Sequence, residues 1–111
     1  MQDYTEILMG KVVRREGGAA ISGATVEVYD KDLLSSAHLG TTHTDEEGRF
    51  RLAFLWSDYH TSIFEGRPDI FLKVTDPGSG KAMKSSVFSE LKGLLDAEDI
   101  ETMDLGEVPV G

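Results

Sequence analysis

The sequence has no cysteine, few basic residues and no long apolar run. Without cysteine, neither a disulfide framework nor a thiolate metal site can form, and cysteine usage leaves the redox compartment open. Twenty acidic residues face eleven basic ones, for a net charge of −9, and no basic cluster is longer than Arg14-Arg15. This balance predicts that the chain does not bind nucleic acid. No apolar run is long enough for a membrane-spanning helix, so no membrane span is expected.

The first residues also lack the features of a secretion signal. Met1 to Glu6 is polar and acidic, with no basic segment followed by an apolar one. The chain is therefore expected to be either cytosolic or a mature fragment that carries an added start methionine. The compartment stays open between these alternatives.

What the sequence does contain is typical of one globular domain. The chain has 111 residues, of which 40% are hydrophobic and 28% are charged. That length is enough to bury one core without disulfides or metals. We therefore expect a single domain over residues 1–111.

Short stretches with apolar residues at every second position recur along the chain and predict strands. Seven stretches are read as strands, and 41–44 among them is read from its β-branched residues: 7–13, 24–29, 41–44, 49–54, 69–75, 81–88 and 103–110. Within them, the side chains expected to face the core include Ala24, Val26, Val28, Phe50, Leu52, Phe54, Ile70, Leu72 and Val74. The same alternation places Tyr29 and Phe71 on an outer sheet face.

Two connections receive specific predictions. Asp45 to Gly48 is read as a tight turn in which glycine takes a positive φ, and this turn is expected to join 41–44 and 49–54 as a β-hairpin. Further along, Met83, Val87, Leu91 and Leu95 recur at helical spacing, although Gly93 weakens a helix. A short helix or loop is therefore expected near residues 89–100.

Three motifs follow one another in the chain: Gly10–Val13, Ile21–Val26 and Thr44–Phe50. In order and spacing they resemble the G-x-V, P-(I/L)-x-G-A-x-V and T-D-x-x-G-x-F motifs of transthyretin-like (prealbumin-like), or carboxypeptidase regulatory-like, β-sandwich domains. Asp104–Val108 is similar to the closing strand of that family, and Ala20 stands where the family usually has proline. The resemblance implies an all-β, single Greek-key sandwich of about seven strands. It also implies an accessory module for folding, adhesion or partner binding.

The sequence supports no catalytic or metal site. The enzymes of the transthyretin-like group, the hydroxyisourate hydrolases, use a histidine near the N-terminus and a C-terminal Tyr-Arg-Gly-Ser, whereas this chain has no histidine before His38 and ends in Val-Pro-Val-Gly. The three histidines, His38, His43 and His60, match no ligand spacing. No serine lies in a Gly-x-Ser-x-Gly motif. We therefore expect no enzyme activity and no cofactor.

The remaining candidates are aromatic binding residues. Trp56 and Tyr59 lie in the long connection 55–68, and loops on a rigid sandwich often carry binding residues. Tyr29 and Phe71 are expected on an outer sheet face, where exposed aromatic side chains can mark a partner surface. The leading hypothesis is a non-catalytic module that binds another protein or a larger assembly, with homo-oligomerisation as one form of this. The alternative is a carbohydrate- or small-ligand-binding module that uses the aromatic loop.

Overall fold

The protein is an all-β sandwich of two four-stranded sheets. The computed structural model describes residues 5–31, 36–55, 69–89, 94–95 and 100–111. Its strands are β1 (Thr5–Arg14), β2 (Thr25–Lys31), β3 (Ser36–His43), β4 (Arg49–Leu55), β5 (Ile70–Thr75), β6 (Ala82–Lys84), β7 (Leu94–Leu95) and β8 (Ile100–Val110). Because β7 has only two residues, the expectation of about seven strands is confirmed.

The chain divides its strands between the sheets in an interlocked, Greek-key order. Sheet I has the order β4-β1-β8-β7, and sheet II has the order β3-β2-β5-β6. All described strand pairs are antiparallel except β1 with β8, which run parallel along almost their whole length. The first and last long strands therefore lie side by side at the centre of sheet I.

The core lies between the sheets and follows the predicted alternation. Val26 and Val28 of β2 and Leu72 and Val74 of β5 are completely buried, and β4 contributes Phe50 and Phe54. Leu52 is only partly buried, but it packs against the same cluster. Since side chains on a strand alternate between faces, these positions fix which residues of sheet II point outward.

The three motifs of the sequence meet at one end of the sandwich. The Val12 amide donates to the Gly48 carbonyl at 2.8 Å, and the Ile21 amide donates to the Val12 carbonyl at 3.1 Å. Thr44, which is buried, donates its hydroxyl to the Ile21 carbonyl at 2.7 Å and accepts the Ala24 amide at 2.8 Å. We call this group of bonds the motif junction; it ties together β1, the segment that leads into β2, and the β3–β4 turn.

The predicted hairpin between 41–44 and 49–54 is wrong, although its turn is correct. Gly48 has φ +80°, and the Asp45 carboxylate accepts the amides of Glu47 and Arg49 at 2.8 and 2.9 Å. However, β3 pairs with β2 in sheet II, whereas β4 pairs with β1 in sheet I. Thr44 accounts for the difference, because its bonds to Ala24, the residue before β2, keep the chain beside sheet II up to the turn. The turn therefore connects the two sheets.

The helical spacing after residue 82 does not correspond to a helix where the structure describes it. Met83 points into the core from β6, whereas Val87 is 40% exposed. Leu94 and Leu95 form β7, which pairs with Glu101 and Thr102 of β8. By pairing with β8, these residues provide hydrogen-bond partners for backbone groups along the edge of β8. A helix at this position would leave those groups of β8 unpaired. Residues 90–93 and 96–99 of the predicted helix or loop lie outside the described residues.

Candidate partner-binding face

The outer face of sheet II carries the predicted aromatic residues. Its side chains form three rows across the strands, given by the register of β3, β2, β5 and β6. The rows are His38, Tyr29 and Phe71; Thr41, Glu27, Lys73 and Lys84; and His43, Thr25, Thr75 and Ala82. We call this surface the sheet II face.

A continuous row of rings crosses the middle of this face. Tyr29 and Phe71 are cross-strand partners, and their rings stack with centroids 5.2 Å apart and an interplanar angle of 10°. His38 meets the Tyr29 ring at 5.3 Å and 64°, and Lys84 Nζ lies 5.7 Å from the Phe71 centroid. Because β2 and β5 are the inner strands of the sheet, the Tyr29 and Phe71 rings each have neighbours on both sides. The ring faces are thus covered, and the ring edges point outward.

A β-bulge places the histidine in this row. Val28 pairs with Gly40, but the next residue, Tyr29, pairs with His38, so Leu39 is an extra residue in β3. Leu39 turns to the core cluster, and His38 turns outward beside Tyr29. Bulges re-aim side chains in this way.

Hydrogen bonds hold the polar atoms of the row. The Tyr29 hydroxyl donates to Glu27 Oε2 at 3.0 Å, and this bond is the main cause that raises the pKa of Tyr29 above its ordinary value. His38 Nε2 lies 3.0 Å from Thr41 Oγ1 and 4.0 Å from Glu27 Oε2. Glu27 therefore holds the Tyr29 hydroxyl, and Thr41 holds the His38 ring.

The charges of the sheet II face are opposite in sign to those of the whole chain. Lys73 and Lys84 are direct cross-strand partners. Exposed Lys31 at the end of β2 lies beside the acidic Asp69, whose carbonyl accepts the Lys31 amide, so this pair adds no net charge. Glu27 is the one carboxylate in the three rows. Neither Lys73 nor Lys84 forms an ion pair within the described part of the chain. The face is therefore basic on a chain whose net charge is −9.

The predicted binding residues separate into two groups. Tyr29 and Phe71 lie together on an outer face, as the strand alternation predicted, and both are half-buried. Trp56 and Tyr59 of the aromatic loop lie outside the described residues. His60 does so as well, and within the described ranges no group of three or more acidic or histidine side chains could hold a metal ion.

Two buried glutamates were missed by sequence reasoning. Glu6 and Glu101 are cross-strand partners on β1 and β8, and they are 0% and 4% exposed. Both occupy inward positions, Glu6 in phase with Leu8 and Glu101 in phase with Met103. Their inward phase follows from the alternation of each strand, but only the parallel pairing shows that the two glutamates lie side by side.

Comparison with known proteins adds information about the fold. No model of a protein family matches the chain, and no curated protein matches it. Among solved structures, the fold is similar to part of a 9R-lipoxygenase from Cyanothece PCC8801, with a TM-score of 0.59 and 21% identity. That match covers 95% of this chain and 16% of the lipoxygenase.

Two dioxygenases have similar folds. A chlorocatechol 1,2-dioxygenase from Pseudomonas putida matches with a TM-score of 0.57 and 12% identity, over 96% of this chain and 61% of that chain. The dioxygenase domain of a dioxygenase carbohydrate-binding protein fusion from Streptomyces sp. SirexAA-E has a TM-score of 0.56 and 15% identity, over 97% of this chain and 81% of that chain. At such identities the similarity shows the fold alone, because one sandwich fold hosts many functions. Within the described residues, no helix is long and apolar enough to cross a membrane.

Proposed function

We propose that the chain is a non-catalytic interaction module, related to transthyretin-like and carboxypeptidase regulatory-like domains, that binds another protein through the sheet II face. The row Lys84, Phe71, Tyr29 and His38 carries the proposal. Four contacting side chains from four different strands form one ordered surface. Rigid aromatic side chains of this kind anchor interfaces at a low entropy cost.

The motif junction supports the family relationship. Each of the three motifs contributes a backbone or hydroxyl group to the same set of hydrogen bonds. The motifs therefore have a structural role, which agrees with a family that shares a scaffold and varies in its partners.

Site-specific photo-crosslinking in the native host tests this proposal. A benzophenone amino acid is placed at Thr75, on the sheet II face beside the ring row, and in a second variant at Lys11, on the outer face of sheet I. The expected result is a discrete protein adduct from position 75 that is absent from position 11. Adding Phe71→Ser should abolish it. The same adducts from both positions, or adducts from position 11 alone, would contradict the proposal.

A further inference from the structure

We propose that the partner bound by the sheet II face is an acidic polypeptide segment. This inference rests on the proposed function and adds the chemistry of the partner. It follows from two features of the face, its charge and the orientation of its rings.

Two neighbouring lysines give the sheet II face its positive charge. Lys73 and Lys84 are direct cross-strand partners, an arrangement in which like charges repel. Glu27 is opposite Lys73 on the other side, and its single negative charge offsets only one of the two positive charges. A carboxylate that docks between the two ammonium groups would relieve their repulsion. The face is thus complementary to an anion before any partner arrives.

The orientation of the rings also favours a negatively charged partner. An aromatic ring has a negative face and a positive edge. In the row, the face of Phe71 is covered by Tyr29 on one side and by Lys84 Nζ on the other. The edges that remain open favour oxygen atoms with negative charge. They do not offer the open ring face on which a sugar or a nucleobase would stack.

The extent of the basic face favours a polypeptide over larger anions. Four strands span only about 15 Å at the usual strand spacing. The rest of the surface is acidic, since the whole chain has a net charge of −9. A nucleic acid strand or an anionic membrane would extend beyond the face and meet this negative surface within a Debye length of about 8 Å. A short acidic segment contacts the basic face alone.

Fluorescence anisotropy with labelled peptides tests the inference. The probes are a glutamate-rich peptide, a lysine-rich peptide of the same length and an uncharged glycine-serine peptide. The wild-type protein should bind the glutamate-rich probe best, and the affinity should fall as salt increases. The double variant Lys73→Glu/Lys84→Glu should weaken this binding about tenfold, because two attractive contacts become repulsive.

Matched variants separate an effect of the sheet II face on binding from the effects of net charge and of unfolding. Lys11→Glu/Lys81→Glu makes the same change in net charge outside the sheet II face and should retain binding. Lys73→Arg/Lys84→Arg keeps the positive charges and should also retain it. Equal losses in both glutamate variants would show a non-specific charge effect and overturn the inference. A melting curve for each variant shows whether the fold is kept.

The remaining outcomes decide the nature of the ligand. Preference for the lysine-rich or the uncharged probe would overturn the inference. So would tighter binding of single-stranded oligothymidylate, or of phosphatidylserine vesicles, than of the glutamate-rich peptide. If these assays fail while the crosslink at position 75 is still found, the proposed function stands and only the acidic chemistry of the partner is wrong.

Discussion

At the scale of single residues, the fold depends most clearly on Gly48. Its φ of +80° is one that side-chain-bearing residues rarely adopt, and a Cβ at this position would lie 2.8 Å from the Val12 carbonyl oxygen. That oxygen accepts the Ile21 amide, so it cannot move without breaking the motif junction. The close approach, more than the turn itself, makes glycine necessary here.

Substitution of Gly48 should therefore be costly. We expect Gly48→Val to destabilise the protein by about 2 kcal/mol or more, measured by denaturant unfolding. Gly18→Val is the matched control, because Gly18 also has a positive φ, +77°, but has nothing within 4 Å of the added Cβ. The control should lose less stability. Equal losses would show that backbone strain alone matters, and an unchanged melting temperature for Gly48→Val would refute this account of the turn.

At the scale of elements, the turn between β3 and β4 carries the chain from sheet II to sheet I, and the carboxylate of Asp45 holds this turn in shape. Hydrogen bonds from the amides of Arg49 and Glu47 are the main causes that lower the pKa of Asp45 below its ordinary value. A carboxyl group with a lowered pKa in the folded state contributes stability above its unfolded pKa. That contribution is lost as the pH falls through the folded-state value.

Asp45→Asn should reveal this contribution as a pH-dependent difference. The variant should be less stable than the wild type at neutral pH, and the gap should close as the pH falls below 3.8, the ordinary value for aspartate. Urea unfolding between neutral and acidic pH measures the gap. Glu46→Gln in the same turn is the control and should show little difference. A gap that is constant or widens in acid would contradict the role given to Asp45.

The sequence predicts which face of a sheet a side chain occupies much better than it predicts which strands pair with each other. Alternation alone placed Tyr29 and Phe71 outward and Leu72 inward, because period two depends only on local side-chain direction. It could not show that the Asp45–Gly48 turn changes sheets, since that depends on the bonds of Thr44 to Ile21 and Ala24, which are distant in sequence. For the same reason, His38 was missed as part of the face, because only the bulge in β3 brings it beside Tyr29.

At the scale of the whole molecule, the bonds that hold the fold together and the surface proposed to bind a partner lie on different parts of the sandwich. The motif junction holds one end of the sandwich together, whereas the sheet II face is an outward surface with an ordered row of rings. We therefore expect that residues of the row can be substituted without loss of the fold. Phe71 is the decisive residue, because it contacts both Tyr29 and Lys84.

The most direct test is Phe71→Ser, with the melting curve and the affinity for the glutamate-rich peptide measured on the same preparation. We expect a stability loss of about 1–2 kcal/mol, from the ring stack and the cation–π contact, together with a clear loss of binding. Leu72→Ser, the neighbouring residue in the core, should in contrast unfold the protein or nearly so. If Phe71→Ser unfolds the protein as Leu72→Ser does, or binds the peptide as tightly as the wild type, the sheet II face is not the recognition surface.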